Sequence, residues 1–209
     1  MILGQGRRIL IGNISTSEIE IRDILKAWAA VSLAFGILFS GGAVFSQTFA
    51  VSFVMAALTV GVGFLLHELA HKLVAQRYGC FAEFRSFDHF LVLAIIMSFF
   101  GFVFAAPGAV MITGPVGVRR NGVISVAGPL TNIALAFVFL TTLFMMPQGW
   151  ISKLSYYGLY INAFLALFNM LPFFNFDGAK VWPWNKFAYF SVIIVSGILM
   201  LMLPYVRPQ

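Results

Sequence analysis

Residues 49–66 form a run without a single charged side chain, and it ends directly on His67-Glu68-Leu69-Ala70-His71. Such a run approaches the ~20 apolar residues that a helix needs to cross the hydrocarbon core of a bilayer. A spanning backbone must satisfy its own hydrogen bonds, which restricts it to helix or closed barrel. The two histidines and the glutamate therefore lie on a helix at the edge of a membrane span. Ionisable groups are costly there and read first as functional.

The rest of the chain repeats the pattern. Of 209 residues, 61% are hydrophobic and 10% charged, against about 25% charged in soluble domains. Apolar stretches at residues 27–39, 49–76, 123–146, 153–171 and 187–203 predict five full spans, punctuated by Gly41-Gly42, Gly128-Pro129, Pro172 and Pro204. Ser17 and Glu20 match a capping box, so the first helix is expected to start there. Residues 4–14 have a β-like alternation, and residues 1–16 read as a short surface segment. A further apolar run, residues 90–106, precedes Pro107 to Pro115, where two prolines and two glycines favour extended chain. The predicted fold class is an all-α integral membrane protein: a polytopic helical bundle of five full spans plus a re-entrant helix/extended segment, with a few short β-like strands. The length suits a single membrane-embedded domain without a soluble accessory domain. No cleavable signal peptide is expected in residues 1–26.

The net charge of +6 comes from Lys and Arg scattered through membrane-flanking segments. They read as topology signals and lipid-headgroup contacts, not as a nucleic-acid surface. Lys72 reads as a side chain that snorkels to headgroups. The lone Cys80 excludes an internal disulfide and a cysteine-rich metal site.

On a helix, positions i and i+4 share a face, so His67 and His71 can bind one zinc while Glu68 reaches the attacking water as general base. A catalytic zinc needs one more protein ligand. His89, Glu83, Asp88 and Asp177 are the candidates outside the N-terminal region. Asp177 stands out, because it follows a span directly and is flanked by Phe173, Phe174, Phe176 and Gly178. A carboxylate in such surroundings is poorly solvated unless a cation or partner neutralises it.

Taken together, these residues resemble the site-2 proteases, which are intramembrane zinc metalloproteases. That family joins H-E-x-x-H to a distant N-x-x-P-x-x-x-x-D-G, matched by Asn169, Pro172, Asp177 and Gly178. An A-G-P-x-x-N segment is matched by Ala127, Gly128, Pro129 and Asn132. The resemblance implies zinc ligands His67, His71 and Asp177, Glu68 as catalytic base, and Asn169 as a contact for the substrate backbone or the developing oxyanion. Phe176-Asp177-Gly178-Ala179 departs from the common L-D-G-G, and the PDZ or CBS domain of many members is missing. Asn162 shares the helix face of Asn169 and is a further candidate. Asn132 reads first as a helix-packing contact, and His89 as an interfacial histidine bonded to nearby backbone.

Topology constrains the pairing. Asp177 meets the histidines only if residues 80–121 begin and end on one side of the bilayer. Without a net crossing there, eleven Lys and Arg fall on one side and two on the other; a full crossing makes the split nine to four. The positive-inside rule prefers the first arrangement and puts the active site toward the cytoplasm. Residues 90–113 are thus expected to dip in as helix, ~25 Å long, and return as extended chain. The resulting expectation is a multi-pass zinc endopeptidase whose partners are the lipid bilayer and a transmembrane protein substrate, with no nucleic acid and the oligomeric state left open. A zinc-binding transporter or scaffold is the alternative.

Overall fold

A computed structural model describes residues 8–12, 14–103 and 107–208. Two short strands, β1 (Arg8–Ile11) and β2 (Ile14–Ser17), pair antiparallel around Gly12, which sits at φ 60. The β-like reading of residues 4–14 thus resolves into a hairpin, with residues 1–7 outside the described chain. Helix α1 (Glu18–Phe39) follows at once. Ser17 caps it by accepting the Glu20 N–H, but the Glu20 side chain does not complete the reciprocal box. It is engaged elsewhere, in a way that matters for the site.

The motif-bearing stretch Gln47–Arg77 is one long helical rod with an irregular turn inside it. Helix α2 (Gln47–Ala56) passes into a π-helical segment, Ala57–Gly61, and continues as α3 (Val62–Arg77). The π turn is packed by α1: the Trp28 indole N–H donates to the Ala57 carbonyl at 3.2 Å. Gly61 permits that approach, since a Cβ there would lie 2.7 Å from the Trp28 ring.

Strand β3 (Phe81–Ser86), helix α4 (Asp88–Ser98) and strand β4 (Gly108–Thr113) form the unit that sequence reading expected to be re-entrant. Two features differ from expectation. Residues 81–86 form a strand, and α4 is only 11 residues long, about 16 Å at 1.5 Å per residue. After Ser98 the backbone makes a tight turn and reaches Gly101 at φ 86, a conformation that ends the helix well before Ala106. The extended return is present: β4 lies antiparallel to β3, with Phe81 opposite Thr113 and Ser86 opposite Gly108. Residues 80 and 114 therefore lie side by side, and the unit ends where it began.

Helix α5 (Val118–Met145) starts earlier than Gly128-Pro129 and carries Pro129 inside it. A proline returns no hydrogen bond to the carbonyl four residues back, which frees the Ser125 carbonyl. Helices α6 (Gly149–Asn169), α7 (Gly178–Trp184) and α8 (Lys186–Met202) complete the chain. Among the described residues, Gln47–Arg77, Val118–Met145 and Lys186–Tyr205 are each long and apolar enough to cross a membrane. Helices α1 and α6 are comparably long but more polar. Helix α1 carries Glu18, Glu20, Arg22, Asp23 and Lys26; α6 carries Lys153, three tyrosines and two asparagines. The apolar interior between α5, α6 and α8 is built from Val126, Ile133, Ala136, Leu159, Ala166 and Val192.

Candidate metal centre

Helical spacing puts His67 and His71 on one face of α3, where both are buried. Asp177 arrives from the loop between α6 and α7 and is also buried. The Asp177 carboxylate Oδ2 lies 3.2 Å from His67 Nε2 and 3.3 Å from His71 Nε2, and the two imidazole nitrogens are 3.0 Å apart. Residues more than a hundred positions apart thus present three donor atoms within 4.8 Å of one another.

Glycines make this approach possible. A Cβ on Gly178 would meet the Leu171 carbonyl at 2.7 Å and the Met170 carbonyl closer still, so only glycine lets the chain after Asp177 fold back onto the end of α6. A Cβ on Gly128 would lie 2.5 Å from both imidazole Nε2 atoms. Gly128 of α5 therefore leaves open the space into which the donors point. The loop itself turns sharply at Phe174, whose φ of 51 is unusual for a bulky residue.

The imidazoles are oriented from behind. His71 Nδ1 lies 2.8 Å from the Ile124 carbonyl, which can only accept, so Nδ1 carries a proton and the neutral ring keeps its lone pair on Nε2. His67 Nδ1 lies 2.5 Å from Asn132 Oδ1. The Asn132 amide nitrogen donates to the Gly63 carbonyl at 3.2 Å and to Asn162 Oδ1 at 3.0 Å, while Asn162 donates onward to the Gly158 carbonyl. Asn132 is thus more than the packing contact expected of it: it fixes the His67 tautomer, with Asn162 behind it. With both imidazoles neutral, two lone-pair nitrogens and a carboxylate oxygen face one another. That arrangement is repulsive unless they share a cation. Their spacings of 3.0–3.3 Å are close to the edge of about 3.3 Å expected for a tetrahedral zinc bound at ~2.0–2.1 Å. The donor set fits a metal of that type.

Glu68 accepts a hydrogen bond from the Val110 N–H of β4 at 3.1 Å. Asn169 donates to the Leu165 carbonyl one turn back in its own helix and is half-buried. His89 is exposed at the start of α4, outside the metal group. The other candidate third ligands have different partners: Glu83 pairs with Arg85, and Asp88 bonds Lys26 at 2.5 Å and the Ser86 hydroxyl at 2.9 Å. Lys72 does not snorkel outward. It is buried and bonds Glu20 at 2.5 Å. Sequence reading missed Glu20 as a network residue, because its capping-box spacing already offered an explanation.

Comparison with known proteins adds an independent line. The chain is 46% identical over 140 residues to "Putative zinc metalloprotease MJ0611" of Methanocaldococcus jannaschii, covering 66% of this chain and 73% of that protein. It is 29% identical over 145 residues to "Putative zinc metalloprotease YwhC" of Bacillus subtilis, covering 59% of this chain and 65% of that protein. No family model matches the chain, and neither does any solved structure. With nearly half of the aligned residues identical and 73% of the archaeal protein covered, the chain belongs to that protein's zinc metalloprotease family.

Proposed function

We propose that the chain is an intramembrane zinc endopeptidase of the site-2 protease type, acting on transmembrane segments of other membrane proteins. The carrying observation is the convergence of His67, His71 and Asp177 in one buried donor set beside Glu68, which touches the edge of a strand. His67, His71 and Asp177 would hold the zinc, with Asn132 and the Ile124 carbonyl fixing the two rings. Bound there, zinc supplies Lewis acidity toward the attacking water and the scissile carbonyl. Glu68 takes the water's proton and delivers it to the leaving amine.

A peptide bond within a helix is shielded by its own hydrogen bonds, so the substrate must unwind locally. Strand β4 offers a template. Phe84 and Val110 are direct cross-strand partners, yet each donates its N–H away from the other strand, to Glu20 and Glu68 respectively. By the alternation of an antiparallel ladder, Gly108 and Ile112 face the same outer edge as Val110. An unwound substrate pairs with that edge by β-augmentation. Five spans, with the β3–α4–β4 unit re-entrant and the active site toward the cytoplasm, complete the reading.

Glu68→Gln tests it, since the amide preserves shape but does not accept the proton. Suitable substrates are single-span polypeptides with a central Asn-Gly pair, reconstituted with the protein in phosphatidylcholine vesicles. Hydrolysis should fall about 10²–10⁴-fold while zinc content stays near one equivalent per chain. Undiminished cleavage would remove Glu68 from the mechanism. Zinc transport across the same vesicles that survives the substitution would instead favour a metal carrier.

A further inference from the structure

Helix α3 carries a second polar stripe beside the histidines. Glu68, Lys72 and Gln76 recur at i, i+4 and i+8, so they line one face. All three are tied to the β3–β4 sheet or to what holds it. Glu68 accepts from Val110 of β4. Lys72 donates to Glu20 Oε2. Gln76 donates to the Ala82 carbonyl of β3 at 3.1 Å and to the Ser15 carbonyl at 2.8 Å, and accepts from the Ser15 N–H at 3.1 Å.

Glu20 is the junction of this stripe. It is 0% exposed and accepts three hydrogen bonds: from Lys72 Nζ at 2.5 Å, the Thr16 hydroxyl at 2.7 Å and the Phe84 N–H at 2.8 Å. Asp23, three residues on in α1, accepts from the Ser86 N–H at 3.3 Å. The N-terminal part of α1 therefore substitutes for a third strand along the outer edge of β3. Phe84 and Val110 are a register pair, so Glu20 and Glu68 grip the same rung from opposite edges. Across a two-stranded sheet, moving one grip moves the other.

We propose that Glu20 is a positioning residue for Glu68, acting through the Phe84–Val110 rung. Lys72 neutralises Glu20 in this buried position, and the acceptor that Glu20 offers to the Phe84 N–H holds the rung. A purely stabilising role is a weak account of this pair, because buried ion pairs often give no net stability over apolar residues of similar volume. The proposal rests on the peptidase reading for what Glu68 does, but the rung itself is independent of that reading.

The test compares two double variants. E20Q/K72M removes both charges and keeps an acceptor for the Phe84 N–H, whereas E20L/K72M fills the space without an acceptor. In E20L/K72M, hydrogen exchange at the Phe84 and Val110 amides should speed up at least about tenfold, with α5 and α6 unchanged. Its kcat on the vesicle substrates should fall about ten- to a hundredfold at unchanged zinc content, the scale of an ångström-sized misplacement. E20Q/K72M should stay within about threefold of the unmodified protein in both readouts. Should E20L/K72M not fold, E20D keeps the charge for Lys72, shortens the reach to Phe84, and should show the same two changes.

Unaltered exchange at Val110 in the folded variant would overturn the proposal, as would equal loss of protection throughout the protein. Faster exchange with an unchanged kcat would break the link to the base. The exchange arm needs no substrate. Absence of hydrolysis in the unmodified protein would thus count against the peptidase reading and leave the rung to be judged by exchange alone.

Discussion

The two polar faces of α3 are built from different chemistry. Behind the histidines the partners are neutral: Asn132, Asn162, and the carbonyls of Gly63, Gly158 and Ile124. Around the β3–β4 sheet the partners are charged: Glu20 with Lys72, Glu83 with Arg85, and Asp23 and Asp88 with Lys26. The charged partners come in opposite-sign pairs, which lets Glu20, Lys72, Glu83 and Arg85 be buried. The neutral network orients metal-binding atoms without adding charge to them. The charged network joins segments more than fifty residues apart.

If the two faces do separate work, substitutions on one should leave the readout of the other alone. The largest effect is expected for Asp177→Ala, which should weaken metal binding by at least about 100-fold, beyond the range for groups that only support a ligand. Metal analysis after dialysis measures this, and hydrogen exchange in the β3–β4 sheet should stay unchanged. A variant that kept one tight equivalent would remove Asp177 from the ligand set. Next is Lys72→Met alone, which leaves Glu20 buried and unpaired and should cost roughly 3–5 kcal/mol of stability. Its zinc affinity, measured in folded protein, should change little; a loss as large as that of Asp177→Ala would dissolve the distinction between the faces.

A smaller effect is expected from Asn132→Ala, which removes the acceptor behind His67. Zinc affinity should drop about 10–100-fold, as is usual for groups that orient a metal-binding histidine. Competition with a chelator checks this, and Asn162→Ala should give a weaker version of it. The smallest effect belongs to the exposed Lys26–Asp88 pair. The hydrogen bond from Lys26 holds the Asp88 carboxyl below its ordinary range and raises Lys26 in turn. A depressed carboxylate contributes stability above its unfolded value, near 3.9, and loses it as pH falls through its folded value. Asp88→Asn should therefore cost less than about 1 kcal/mol at neutral pH and flatten the acid limb of the unfolding profile. Thermal unfolding in detergent between pH 3 and 7 shows whether that limb changes.

Much of this centre can be read in the chain. The i, i+4 histidines, the apolar runs and the D-G pair after a span all have local signatures, and Gly178 has a local reason in its tight approach to Met170 and Leu171. What escaped reading depends on distant partners. Phe81–Ser86 contains Glu83, read from the sequence as a candidate third ligand, and Arg85, counted with the membrane-flanking cations. They are buried because they pair with each other, while Glu20 and Asp23 receive the strand's outward N–H groups from over sixty residues away. Helix α4 ended early because a single glycine, Gly101, could adopt a positive φ that hydropathy does not register. Asn132 was visible as a polar residue in a span, but its partner His67 lies 65 positions away.

The π turn at Ala57–Gly61 carries a consequence for length variation in this chain. A π turn accommodates one residue more than the α-helix would. Each residue of an α-helix turns its successors by about 100°. Deleting one residue between 57 and 61 would remove that surplus, so the rod would become regular while His67 and His71 kept their face toward Asp177. The same deletion in the regular stretch 62–66 would instead swing both histidines by roughly that angle about the axis, away from Asp177, with every metal-binding residue still present. The π turn is thus a place where the rod can lose a residue without turning the centre.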